Sequence, residues 1–154
     1  MEVTTTAAPT STTTSVAPAT TQTVPPAPDT GDVRGFPVAS ITIAAEPWTV
    51  AVAEGFDARA RGLMEVSDLG DLDGMLFVWP EAEPRAFTMR NTLIPLDVAF
   101  FDGDGRLTEI VAMVPCTEEP CPAYPSAGAV RWAVEAPPGS FDRYPLGASI
   151  VVGG

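Results

Sequence analysis

Lysine and histidine are both absent from the 154 residues, so every positive charge is an arginine. That excludes lysine Schiff-base chemistry and removes the most frequent zinc ligand and the most frequent general base near neutral pH. No apolar run is long enough for a membrane-spanning helix. Cysteine is scarce. Cys116 and Cys121 are the only two, and two thiols without histidine make a poor metal site. No metal and no cofactor is expected.

Acid is what the sequence has in excess. It carries 20 acidic residues against 8 basic ones, a net charge of −12, and from Gly35 onward 17 acids face seven arginines. Such a surface repels phosphate backbones and anionic headgroups. Nucleic acid is therefore not expected as a partner, and membrane contact is expected only through an N-terminal anchor outside this sequence. A small molecule or saccharide suits the charge better, and the chain is expected to be a monomer.

Residues 3–28, VTTTAAPTSTTTSVAPATTQTVPPAP, carry no charge and little that could enter a core. The segment 1–34 reads as a disordered tether, followed by one domain over 35–154. Tethers of this kind commonly follow a signal peptide or lipoprotein anchor, so an export signal is expected upstream; the alternative is a cytosolic chain with a floppy tail. The stretch CTEEPC from Cys116 to Cys121 agrees with export. Its spacing favours a disulfide over a redox-active pair, because the C-x-x-C arrangement is missing and Glu118 and Glu119 disfavour thiolates.

Short apolar runs separated by turn signals fill the domain, which reads as mostly β. Strands are expected over 40–44, 48–54, 74–79, 86–91, 96–102, 107–114, 130–136 and 149–152, with two turns of helix over FDARARGLM (56–64). Asp102-Gly103-Asp104-Gly105 reads as a hairpin turn. It lacks the later ligands of a calcium loop.

The order and spacing of RGLM (61–64), GMLFVW (74–79) and FTMRNTLIPLDVAFFD (87–102) resemble the bacterial and archaeal family called domain of unknown function 192. The C-x4-C followed by Tyr124, and Val134-Glu135 before Gly139, fit the same pattern, which spans most of 40–152. Thr88, Arg90 and Ala148-Ser149 depart from it. The resemblance implies a compact β-sandwich or barrel with one short helix, and it supplies no reaction.

Within that pattern Asp97 stands out. Period-two alternation puts Leu96, Val98 and Phe100 on one face of a strand and Asp97, Ala99 and Phe101 on the other. Both faces are otherwise apolar, so the carboxylate requires a partner. Arg61, set beside Leu63 and Met64, can grip it with two hydrogen bonds, and Asn91 can add a neutral donor. Arg90 is a weaker substitute. The three residues Arg61, Asn91 and Asp97 are thus the expected ligand-binding group, with Met75, Phe77 and Phe87 as an apolar floor; the bland alternative is a network that only fixes strand register. An exported binding or accessory module of the cell envelope follows. The alternative is a carboxylate-dependent hydrolase, for example of glycosides, using Asp97 with Glu135 or Glu109.

Overall fold

The structure, a computed structural model, describes Val33 and residues 35–153, so nearly all of the expected tether lies outside the described residues. Seven strands follow: β1 (Val38–Ile43), β2 (Glu46–Glu54), β3 (Gly74–Thr88), β4 (Leu96–Phe101), β5 (Leu107–Met113), β6 (Ala123–Ala136) and β7 (Ile150–Val152). One short helix, α1 (Phe56–Arg61), lies between β2 and β3. The strands form one mixed sheet in the order β5-β4-β6-β3-β2-β1-β7. Only β2 and β3 pair in parallel, and that pairing is why the chain needs a crossover there, where α1 sits.

Alternation along each strand divides the apolar side chains between two clusters. One face gathers Ile41, Trp48, Leu76, Phe101, Val134 and Ile150, joined by Leu107, so all seven strands contribute to it. The sheet curls around this cluster until its edges meet. Leu107 N–H donates to Ala148 O at 2.8 Å, Ile150 N–H donates to Gly105 O at 2.8 Å, and Arg106 bridges Ser149. The result is the expected barrel-like β fold. The opposite face carries Met75, Phe77, Val98 and Phe100, covered by Leu63 and Met89. Each large side chain buried this way contributes roughly 1.5–3 kcal/mol.

The β4–β5 turn forms as the sequence predicts, with Asp102 Oδ1 accepting from the N–H groups of Asp104 and Arg106 at 2.9 and 3.0 Å. β3 departs from expectation. It runs unbroken through Pro80 and Pro84: Pro80 lies within a register shift between Val78 and Glu83, and Pro84, in register with Ala129, borders a second shift between Pro84 and Ala86. Gly74 is dictated by packing: a Cβ there would collide with the carbonyl oxygen of Glu135 on the paired strand.

Candidate functional site

Asp97 is buried, with 8% of its surface exposed. Its Oδ2 accepts a hydrogen bond from Gly139 N–H at 2.9 Å. The strand alternation read from the sequence holds: Leu96, Val98 and Phe100 belong to the helix-side cluster, while Ala99 and Phe101 belong to the barrel interior. Asp97 shares the parity of the second set and thus faces away from α1. Arg61 ends α1 on the other side, its guanidinium 4.8 Å from the Phe36 ring centre. The expected Arg61–Asp97 pair is therefore not what satisfies the carboxylate; a backbone amide of the 137–149 loop does.

Asn91 is exposed and adopts φ 56°, a left-handed conformation that asparagine tolerates better than most residues. Its backbone ties three segments together, the N–H donating to Cys116 O at 3.0 Å and the carbonyl accepting from Glu65 N–H at 2.8 Å. This corner explains asparagine by backbone geometry. Arg90 points to solvent and pairs with Glu119 at 2.7 Å.

Arg61 instead helps to line a cavity of about 450 Å³ between α1 and β3. Its apolar wall includes Phe56, Leu63, Phe77, Trp79 and Phe87. Phe77 and Phe87 meet edge to face at 4.9 Å, and Trp79 meets Phe87 in the same way at 6.1 Å. Phe56 stands at the lip, 79% exposed. Of the expected apolar floor, Phe77 and Phe87 border the cavity, and Met75 lies deeper in the core.

Three arginines meet there. Arg59 and Arg85 lie 5.6 and 4.7 Å from the Trp79 ring centre, within the range where a guanidinium is attracted to an aromatic face. Arg59 Nη1 also donates to Val78 O at 2.8 Å, and Arg85 Nη2 donates to Glu81 O at 2.7 Å. Arg85 Nε also donates to Val130 O at 3.4 Å and its Nη1 lies 3.9 Å from Glu83 Oε1, so these contacts hold two cations along the cavity wall, Arg59 with donors to spare. Thr88 and Thr92 add hydroxyls to the lining.

The last lining residue is Glu135, only 4% exposed. It sits on β6 opposite Met75 of β3 and Val98 of β4, in the middle of the sheet. Among the described residues, no donor meets its carboxyl group within hydrogen-bonding distance. Burial pushes its pKa up to about 8, so at neutral pH the neutral acid predominates. The sequence reading named Glu135 only as a possible second carboxylate. Its one sequence signal is an acid flanked by Val134 and Ala136 near the end of an apolar strand, on the face it shares with Arg131.

Cys116 and Cys121 form the expected disulfide, with Cα atoms 5.7 Å apart. The strap leads into β6, whose first residue, Ala123, pairs with the cavity residue Thr88. A further polar network went unread in the sequence. Tyr144 OH donates to Glu46 Oε1 at 2.6 Å and accepts from Trp48 Nε1 at 2.9 Å, while Arg143 Nε donates to Glu46 Oε1 at 2.7 Å. The Tyr144 and Arg143 bonds hold the Glu46 carboxyl below its ordinary range. This network pins the 137–149 loop to β2 and lies apart from the cavity lining.

Residues 39–152 match the family DUF192, described as "Uncharacterized ACR". The chain belongs to this family. Among solved structures, this DUF192 chain is similar to a candidate transcription regulator from Sinorhizobium meliloti 1021, at 27% identity and a TM-score of 0.66, covering 75% of this chain and 93% of that one. It is also similar to a protein of unknown function from Novosphingobium aromaticivorans DSM 12444, at 28% identity and a TM-score of 0.68, covering 86% of this chain and 99% of that one. No curated protein matches it.

Proposed function

We propose that this DUF192 chain is a ligand-binding module of the cell envelope and that the cavity between α1 and β3 is its binding site. One observation carries the reading. In a domain with an excess of acids, three of the seven arginines from Gly35 onward border a single cavity that also holds the buried Glu135, whose carboxyl group meets no donor among the described residues. Proteins rarely leave a buried carboxyl group unsatisfied without a use for it. A concave apolar site with a few convergent polar groups is the usual form of a small-molecule pocket, and its volume is within the usual range.

The disulfide points to an oxidising, extracytoplasmic setting. Export and anchoring of the chain belong to the same proposal. Arg61 retains its proposed part in binding and Asn91 ties the segments of Glu65 and Cys116 together beside the site through its backbone, whereas Asp97, whose carboxylate holds Gly139 on the opposite face, has no proposed part. A hydrolase built on Asp97 draws little support, because that carboxylate faces the barrel interior and is occupied by Gly139. The regulator described for the Sinorhizobium relative would suggest nucleic acid as a partner; the acid excess of this chain argues against carrying that role over.

The test is a screen of small neutral, cationic and anionic compounds, read by NMR shifts of backbone amides. Binding compounds should move Gly62, Thr88, Thr92 and Glu135 together. A screen in which no compound of any charge moves these amides refutes the reading.

A further inference from the structure

The donors and acceptors that face this cavity are unevenly divided. Arg59, Arg61 and Arg85 offer guanidinium N–H groups and no acceptor. Thr88 and Thr92 present hydroxyls, although Thr92 Oγ1 already donates to Arg90 O at 3.3 Å. Glu135 would ordinarily supply acceptors and negative charge. Held neutral by burial, its carboxyl brings an O–H donor, and it does not neutralise the arginines. No other acid lines the cavity among the described residues, and the exposed Glu83, 3.9 Å from Arg85 outside the lining, offsets one of the three cations in part. The site therefore presents an excess of donors and positive charge beside an apolar wall of Phe56, Leu63 and Phe87.

Resting on the binding reading above, we infer that the cavity takes a small anionic amphiphile, an oxyanion headgroup met by Arg59, Arg61, Arg85 and Glu135, with a single apolar tail along the Phe56–Phe87 wall. A carboxylate or phosphate head meets the planar guanidinium groups with paired hydrogen bonds. The buried Glu135 O–H supplies one more donor to the incoming oxyanion. The exposed Phe56 ring at the cavity mouth has apolar surface to bury when a tail enters. The volume of about 450 Å³ suits one short chain. It is the free molecule that fits, since the chain's net charge of −12 repels an anionic bilayer.

The experiment is calorimetric titration of the full chain at pH 6.5 with decanoate and with decyl phosphate, compared with decanol, acetate and inorganic phosphate. The two amphiphiles separate a carboxylate head from a phosphate head. At least one should bind tenfold or more tightly than decanol and than its own headgroup alone. Arg61→Gln, at an exposed helix end, should weaken that binding about tenfold. Arg106→Gln, at the β4–β5 turn, should leave it unchanged and so controls for net charge.

Raising the pH from 6.5 to 9 should weaken binding to the wild type as Glu135 ionises. The charged groups that line the cavity with it are Arg59 and Arg61 from α1 and Arg85 from β3, and Glu83 lies 3.9 Å from Arg85. Glu135→Gln should bind at pH 6.5 and lose the pH dependence. Decanol binding as well as decanoate and decyl phosphate, or equal losses in Arg61→Gln and Arg106→Gln, would overturn the inference. If only neutral or cationic compounds move the cavity amides, the ligand class fails and the binding module stands. If no compound moves them, both fail.

Discussion

Glu135→Gln is the perturbation with the largest and most direction-specific effect. Glutamine has nearly the shape of the neutral acid, keeps a hydrogen-bond donor and cannot ionise, so the substitution removes little except the proton equilibrium. In the folded chain the carboxyl has a pKa of about 8, against an ordinary value of 4.5. Below pH 4.5 both states carry the proton and the group costs nothing. Between pH 4.5 and 8 the unfolded chain releases it and the folded chain holds it, so the unfolded state binds fewer protons and stability falls as pH rises. Above pH 8 both have lost it and the loss levels off. Each pH unit across that window is worth about 1.4 kcal/mol, which gives about 3 kcal/mol at pH 7 and about 5 kcal/mol at pH 9. Urea denaturation of wild type and Glu135→Gln at half-unit steps from pH 4 to 9 measures it. The two should be close at pH 4 and diverge steadily, with the variant the more stable at pH 9. A gap below about 1 kcal/mol at pH 9 would show that a cavity arginine compensates the ionised carboxylate, and the neutral-acid reasoning would be refuted.

Three further outcomes test the rest. Asp97→Ala should cost about 1–3 kcal/mol by leaving Gly139 N–H without its acceptor, and Asp97→Asn, which keeps a side-chain oxygen, should cost less in the same urea assay. Gly74→Ala should destabilise by about 1–3 kcal/mol or more, because its methyl group meets the Glu135 carbonyl on the paired strand; thermal melting would show the loss. Reduction of Cys116–Cys121 should lower global stability by about 2 kcal/mol or less, since it opens a short loop, but should shift the Thr88 amide, whose partner Ala123 follows the strap.

How much of this was legible depended on whether the signal was local. The alternation of LDVAFF, the Asp102–Gly105 turn, the buried start of β3 and the close pair of cysteines are written in neighbouring residues, and each appears in the structure. The partner of Asp97 was not local. Nothing in the spacing of Arg61 and Asp97 says that α1 lies on one face of the sheet and the carboxylate on the other, and a backbone N–H can satisfy an acid without leaving a mark in the sequence. Glu135 was obscured for a related reason. In VRWAVEA it shares a strand face with Arg131, which reads as solvent-facing until β6 is known to lie between β3 and β4 with both sides covered. Arg59 and Arg85 acquire meaning only once Trp79 is seen between them in the chain and near both in space. The length of β3 was hidden by Pro80 and Pro84, which normally signal a break and here lie within or beside register shifts.

The place of β6 in the strand order also governs when the molecule can take shape. It is sixth along the chain yet third in the sheet, wedged between β4 and β3. Until residues 123–136 are available, β3 and β4 each present an unpaired edge where β6 will lie, and the sheet remains in two pieces. One is the local β4–β5 hairpin; the other is β1–β2–β3 with its crossover. The later return of β7 to β1 then joins the last strand to the first, spanning more than a hundred residues. A chain built this way is committed to folding late, after most of it has been delivered. Translocation across a membrane as an extended polymer would therefore leave the native sheet to assemble on the far side, and unpaired strand edges would need protection until then.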